Sequence, residues 1–272
     1  MSDFPSCMHM HTHYGDGRNS PEEMVLGAIA RGFSSVGIAE HAWSPYDLDV
    51  CIPKSKMEAY RTDLARVKEK YAGTIEVCCG VEVDFYNLYG KGNWDYVVGS
   101  VHYVRGEKTG EYYPVDRYPA DFEEGIEDAG GTQNFIEAYG ASVLQLAEQY
   151  RPTILGHIDV IAKLNRGGRF FDTGASWHKA MWEKIVRVIA KSGCVTEVNT
   201  GGMARGYTDE PYPSADLLRM LYREGAPVTL SSDAHEEQML AYGFDQALQL
   251  LREVGYKSVK LWQSGKFVDF PI

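Results

Sequence analysis

The chain alternates between two patterns. Short runs rich in β-branched and apolar residues end in polar or charged side chains, and longer stretches carry apolar positions at helical spacing. Strands are predicted at Cys7 to Thr12, Ser35 to Glu40, Thr74 to Phe85, Tyr96 to Val104, Thr153 to His157, Cys194 to Asn199 and Pro227 to Ser231, with a short last one at Ser258 to Trp262. Helices are predicted from Pro21 toward Arg31, near Lys56 to Tyr71, and at Gln133 to Tyr150, Ser176 to Lys191, Ser214 to Glu224 and Phe244 to Val254. Ser20 stands as an N-cap before Pro21, and Gly32 fits the helix stop. Only Tyr86 to Asp95 separates the third and fourth strands, which predicts a short or irregular link. Arg105 to Gly131 is polar and Gly-rich; it predicts an irregular excursion, a candidate lid. Alternating strands and helices argue for an α/β fold with a mainly parallel sheet, and seven or eight such units argue for a barrel. No shift in composition divides the 272 residues, so a single domain over 1–272 is expected.

The polar ends of these strands carry the chemistry. His9 and His11 lie on the first strand, His41 follows the second, His102 is on the fourth, His157 ends the fifth and His235 follows the seventh. Glu82 sits on the third strand, and Asp233 follows the seventh. In a parallel α/β barrel all carboxyl ends gather on one face, where the active site forms. Residues i and i+2 of a strand point to the same side, so His9 and His11 project together. Imidazoles and carboxylates together suit Zn, Fe or Mn. A single histidine is more often a core or surface side chain; six at successive strand ends point to a multi-metal site. His178 lies within a helix and reads as structural, and His13 is either a supporting residue or a spare.

Charge narrows the partners. With 27 Lys and Arg against 38 Asp and Glu, the net charge is −11, which opposes a long nucleic-acid track or an anionic membrane surface. A small anionic substrate stays compatible, because bound divalent ions reverse the local sign. No apolar run approaches the roughly 20 residues of a membrane span. The N-terminal stretch lacks the basic and apolar segments of a secretory leader. The five cysteines are odd in number and show no CxxC spacing, so reduced thiols and a cytoplasmic location are expected. Oligomeric state is silent.

These motifs resemble, in order and over nearly the full length, the PHP (polymerase and histidinol phosphatase) superfamily, and within it the monofunctional histidinol-phosphatases. They are His9-Met10-His11-Thr12 with Gly15-Asp16-Gly17 and Ser20-Pro21-Glu22-Glu23, Ile38-Ala39-Glu40-His41, Gly80-Val81-Glu82-Val83-Asp84, Gly99-Ser100-Val101-His102, Gly156-His157-Ile158-Asp159, Glu197-Val198-Asn199-Thr200 and Ser232-Asp233-Ala234-His235. The resemblance implies a distorted (β/α)7 TIM-like barrel and a trinuclear centre of divalent ions. It implies His9, His11, Asp16, His41, Glu82, His102, His157, Asp233 and His235 as ligands, with Glu82 bridging two ions. The chain departs from the family in Glu40 before His41 and in Cys7 on the first strand, where Asp is usual. The segment after His102 also differs, reading Glu111-Tyr112-Tyr113-Pro114-Val115-Asp116 where many histidinol-phosphatases have a Gly-Trp-x-Phe-Asp-Asn type of stretch.

The expected reaction is hydrolysis of a phosphate monoester, most plainly L-histidinol phosphate in histidine biosynthesis, by hydroxide formed on the metals, since metal binding lowers the pKa of water from about 15.7 to about 7. Arg205 is the first choice for a phosphate contact, because its planar fork matches phosphate bidentately. Arg18, Lys163 and Arg166 follow, and Asn199 could orient substrate or a ligand. Asp84 and Asp159 could assist the leaving alkoxide or support a metal-bound histidine. Tyr86, Tyr89, Tyr103, Tyr112 and Tyr113 could wall the imidazole and ammonium of such a substrate. Two alternatives stand beside this reading: a PHP phosphoesterase acting on a nucleotide or short oligonucleotide, and a non-catalytic metal-binding barrel. A glycoside hydrolase would leave the strand-end histidines unexplained.

Overall fold

The computed structural model describes residues 4–87 and 92–272. In chain order its elements are β1 (Ser6–Cys7), α1 (Pro21–Ala30), β2 (Ser35–His41), α2 (Met57–Lys70), β3 (Glu76–Asp84), β4 (Tyr96–Ser100), β5 (Tyr103–Arg105), β6 (Tyr112–Pro114), α3 (Pro119–Asp128), α4 (Thr132–Gln145), β7 (Ile154–Leu155), α5 (Ser176–Ser192), β8 (Val195–Asn199), α6 (Gly201–Ala204), α7 (Ala215–Arg223), β9 (Val228–Ser231), α8 (Phe244–Val254), β10 (Ser258–Gln263) and β11 (Lys266–Pro271). Seven strands pair in parallel in the order β1-β2-β3-β4-β7-β8-β9. The two edges meet just beyond β1 and β9: Met10 forms a parallel bridge with Ala234, and the His11 N–H donates to the Ala234 carbonyl at 2.9 Å. The result is a nearly closed seven-stranded barrel with helices outside, as expected. Among the described residues no helix is long and apolar enough to cross a membrane.

Helix α1 begins where the sequence placed it. The Ser20 hydroxyl accepts from the Glu23 N–H and the Glu23 carboxylate accepts from the Ser20 N–H, a reciprocal cap, with Pro21 at the first helical position. Other expectations need correction. The first strand is regular only over Ser6–Cys7; beyond it the chain keeps single contacts to both neighbours, the Met10 carbonyl accepting from the Ala39 N–H and Met10 bridging Ala234. The predicted fourth strand breaks after Ser100; Tyr103–Arg105 turns away and pairs antiparallel with β6. Arg105 to Gly131 is therefore not irregular, since it contributes a strand and helix α3. The last predicted strand gains an antiparallel partner, β11. Part of the link between Tyr86 and Asp95, including Tyr89, lies outside the described residues.

Two-residue periodicity sorts each central strand into a lower apolar tier and an upper polar one. Gly37, Ala39 and His41 share a face on β2, as do Cys78, Gly80 and Glu82 on β3 and Tyr96, Val98 and Ser100 on β4. The lower tier forms a buried cluster of Met8, Ala39, Cys78, Tyr96, Val98, Ile154 and Trp262. Tyr96 fits only because its neighbours lack side chains: a Cβ on Gly37 would lie 2.3 Å from its hydroxyl, and one on Gly80 2.3 Å from its ring. From below, Trp262 packs against Tyr96 with ring centroids 5.6 Å apart. Glu76 holds that hairpin in place, accepting from the Trp262 indole and from the backbone N–H groups of Ser264 and Gly265. The polar tier thus rests on a dry floor.

The substitution Gly80→Ala forces a methyl into the Tyr96 ring, and should cost about 1–3 kcal/mol of stability by overpacking. Urea unfolding measures it; an unchanged midpoint would show that Tyr96 moves freely.

Candidate metal centre

Glu82, the inward residue near the end of β3, is fully buried beneath five imidazoles. Its Oε2 lies 2.9 Å from His41 Nδ1, 3.2 Å from His9 Nε2 and 3.7 Å from His11 Nε2. Its Oε1 lies 3.3 Å from His157 Nε2 and 3.5 Å from His102 Nε2, and accepts from the Ser100 hydroxyl at 2.5 Å. Asp233 closes the cluster from the far side of the barrel, with Oδ1 3.1 Å from His11 Nε2 and 3.8 Å from His9 Nε2. Asp16 Oδ2 lies 3.2 Å from His235 Nε2, and its Oδ1 is 3.9 Å from His11 Nδ1. All nine residues expected as ligands therefore converge.

They divide into four overlapping groups whose ligand atoms lie within 4.8 Å of one another: His11, Asp16, His41 and His235; His9, Glu82 and His157; His9, His11 and Asp233; and His41, Glu82 and His102. The donor chemistry fits cations. His9 Nε2 and His11 Nε2 approach to 3.2 Å, and two neutral imidazole nitrogens so placed point lone pairs at each other unless one carries a proton. Glu82 Oε2 is buried and accepts no hydrogen bond among the described residues, although three imidazoles converge on it. Divalent ions bound by mixed imidazole and carboxylate donors suit both observations.

Without ions the cluster is electrostatically coupled. Burial pushes the Glu82 pKa upward, but His41, His9 and His102 outweigh it and hold the carboxyl well below its ordinary range. Asp233 is likewise lowered, burial being outweighed by Arg205 and His9. Burial acts to lower His41, yet Glu82 and Asp16 raise it to about 10; Glu82 and Asp84 raise His102 to about 9 against the same burial.

A further row of carboxylates orients the cluster, and sequence reasoning missed two of its members. Glu197 Oε1 faces His9 Nδ1 at 2.6 Å, while its Oε2 accepts from the His157 N–H and from Asn199 Nδ2. Glu197 and Asn199 are i and i+2 on β8, so they share a face of the strand, and alternation from Asn199 would have marked Glu197 as well. Glu40 accepts from both the backbone N–H and the hydroxyl of Thr12, and its Oε2 is 3.6 Å from His11 Nδ1. Such carboxylates fix imidazole orientation. Asp84 does the same for His102, accepting its backbone N–H at 2.9 Å and lying 3.5 Å from Nδ1.

Above the cluster lies a cavity of about 270 Å³, lined by Asp16, His41, His102, His157, Asp233 and His235 and, beyond them, by Asp47, Tyr103, Asp116, Arg117, Lys163, Arg205, Tyr207 and Tyr212. Arg205 borders it but is committed: it donates to the Asp233 carbonyl and carboxylate and approaches His235 Nδ1 at 2.9 Å. That clamp sustains Asp233 in a left-handed backbone conformation (φ 45°), a strained setting that tends to mark functional positions. Lys163 also borders the cavity, paired with Asp116 at 3.1 Å.

Other expected contacts fall elsewhere. Arg18 is largely exposed and pairs with Glu236, and Arg166 pairs across the surface with Asp209. Asn199 is buried and hydrogen-bonds Glu197 and Asp233, so it orients these carboxylates and does not border this cavity. Asp159 is buried, borders a second, larger cavity and not this one, and accepts the Ser214 N–H; burial raises its pKa to about 7. Of the tyrosines expected as a wall, only Tyr103 lines the cavity among the described residues; Tyr207 and Tyr212 take that role. His13 stacks on Tyr14 outside the cluster. His178 is structural, its Nδ1 facing the Thr173 carbonyl and its Nε2 receiving the Trp182 indole. A larger cavity of about 850 Å³ between α5 and α7 shares Lys163, Tyr207 and Tyr212 but is bordered by none of the nine cluster residues.

Glu82→Gln removes the charge that raises His41. In the metal-free protein His41 should titrate roughly 1–3 pH units below its present value of about 10. Imidazole NMR titration reads this directly, and an unmoved His41 would remove Glu82 from the centre of the network.

The chain is similar to known proteins over most of its length. The PHP domain family matches residues 8–201. A Deinococcus radiodurans protein named "Probable histidinol-phosphatase" is 28% identical over 262 residues, covering 92% of this chain and 94% of its own length. The histidinol-phosphatase of Bacillus subtilis is 24% identical over 266 residues, covering 89% and 97%. The crystal structure of histidinol phosphate phosphatase from Lactococcus lactis, in complex with zinc, L-histidinol and phosphate, superposes with a TM-score of 0.73 at 21% identity, covering 97% of this chain and 98% of that one.

Proposed function

This chain belongs to the PHP family, and we propose that it is a metal-dependent phosphomonoesterase converting L-histidinol phosphate and water to L-histidinol and phosphate. The observation that carries the reading is the convergence of nine imidazole and carboxylate side chains beneath one open cavity. The relatives named as histidinol-phosphatases cover the chain almost end to end, and the Lactococcus protein binds zinc, L-histidinol and phosphate. The nine residues hold three divalent ions, of zinc, manganese or iron, in a single domain of a cytoplasmic enzyme.

When bound, the ions acidify water and neutralise the charge of the phosphoryl oxygens. The chain's own residues do the rest. Glu82 lies between the histidine groups and fixes their spacing. Glu197 orients His9, Asp84 holds the His102 backbone N–H beside its ring, and Glu40 lies beside His11. Arg205 pins Asp233 and His235, and its edge on the cavity lets it meet a phosphoryl oxygen there. Lys163 adds a second cation to the cavity wall. Neither Asp84 nor Asp159 borders the cavity, so neither is placed to hand a proton to the departing alkoxide. The nucleotide alternative is less well served, because the cavity is small, about 270 Å³, and carries Asp47 and Asp116 in its wall.

Metal-loaded protein should release phosphate from L-histidinol phosphate with kcat/KM of about 10⁴ M⁻¹s⁻¹ or more, well above a nucleoside monophosphate. Chelation should abolish the rate and added metal restore it. Slow turnover of both substrates would move the true substrate elsewhere.

Proton linkage gives an independent check. His41 and His102, raised to about 10 and about 9, stabilise the metal-free chain fully below their unfolded value of about 6.5. That contribution is lost as pH rises through about 9 and then about 10. A ligating imidazole must be neutral, so metal affinity should rise over the same interval, with protons released on binding. Calorimetry in buffers of different ionisation enthalpy reads the release; metal uptake without proton release would contradict the ligand set.

A further inference from the structure

Beyond the metal-facing residues, the cavity wall carries charges already paired with each other. Asp116 and Arg117 follow β6 and reach two different loops. Arg117 pairs with Asp47 beyond β2, and Asp116 Oδ2 takes the Lys163 ammonium at 3.1 Å from the loop beyond β7. Lys163 Nζ also lies 4.6 Å from the centroid of the Tyr207 ring. A carboxylate and an aromatic face here enclose an alkylammonium, a combination that recognises such a cation. The occupant is the protein's own side chain, on a flexible four-carbon stem. All three residues border the cavity above the metal cluster.

L-Histidinol phosphate carries a primary ammonium on the carbon next to its phosphoester carbon, so fixing the phosphate at the cluster confines the ammonium to the adjoining wall. Resting on the histidinol phosphate reading, we propose that Asp116 and Tyr207 form the seat for the substrate's ammonium, held in the free enzyme by Lys163. On binding, the two cations exchange: the substrate's ammonium takes Asp116, and Lys163 turns to the phosphate. A phosphoester without a cation leaves Asp116 facing either Lys163 or nothing. The exchange therefore selects against sugar phosphates and nucleotides by an unmet charge as well as by fit.

The test compares two substrates on metal-loaded enzyme: L-histidinol phosphate and 3-(imidazol-4-yl)propyl phosphate, which differs only in lacking the amine. Wild type should favour the amine-bearing substrate in kcat/KM by about 10–100-fold, the value of a hydrogen bond to a charged group. Asp116→Asn should collapse that ratio toward one, chiefly through a higher KM for L-histidinol phosphate. Tyr207→Leu, at a half-exposed position, should lower the ratio by a smaller factor and keeps the test open if the first variant folds poorly. A purely structural role would slow both substrates alike, and equal slowing in both variants overturns the seat. So does a wild type indifferent to the amine while hydrolysing L-histidinol phosphate well. A wild type that hydrolyses neither imidazole substrate faster than p-nitrophenyl phosphate removes the underlying reading, and the seat with it.

Discussion

Everything in this molecule is arranged around one costly placement, a carboxylate fully buried at the middle of the barrel. An isolated charge there would be strongly destabilising, and such a group neutralises unless it is paired. Glu82 is paired by five imidazoles, held at 2.9 to 3.7 Å by residues from four different segments of the chain. Those imidazoles need carboxylates of their own, which explains Glu197, Glu40 and Asp84 behind them. The site is therefore a network, and each member is placed correctly only while the others are.

A buried polar network of this kind requires support that does not compete for its hydrogen bonds. The apolar plug below supplies that. Gly37 and Gly80 give up their side chains so that Tyr96 can fill the barrel axis, and Trp262 seals the bottom. The same strands that build this floor raise His41, Glu82 and Ser100 two residues later. The short polar tier and the dry tier are thus two readings of one periodicity, and a register slip of one residue would turn both sets outward together.

Much of this was legible in the sequence because periodicity and strand ends are local. Helix α8 falls where its apolar spacing put it, and α1 starts at its capping box. The converging histidines needed only topology, since a parallel barrel gathers its carboxyl ends. What escaped depends on partners distant in sequence. Arg205 reads as a free phosphate fork until Asp233 and His235 are found holding it. Asp159 follows a metal-type histidine by two residues, yet a short helical turn beginning at Val160 carries the chain away and Asp159 bonds to Ser214 instead. The stretch from Arg105 to Gly131 looked irregular because its strand β6 and the partner β5 just before it are three residues each, too short to show alternation, and pair with one another.

That last segment explains why metal chemistry and substrate choice need not be read from the same residues. Strand ends β1 to β4 and β7 to β9 deliver the cluster, and their geometry is fixed by barrel closure. The β5–β6 hairpin belongs to no barrel strand; it is tied down by Arg117 to Asp47 and by Asp116 to Lys163, ion pairs that span loops at the cavity wall. Tyr46, from the loop beyond β2, stacks on Tyr112 of the hairpin at 4.4 Å and adds an apolar tie. A wall held by exchangeable side-chain contacts can change its charge pattern without disturbing the strands beneath it. On the proposed reading, the barrel constrains where a phosphate can react, while the segment that follows the hairpin bears on what the rest of the phosphoester must carry.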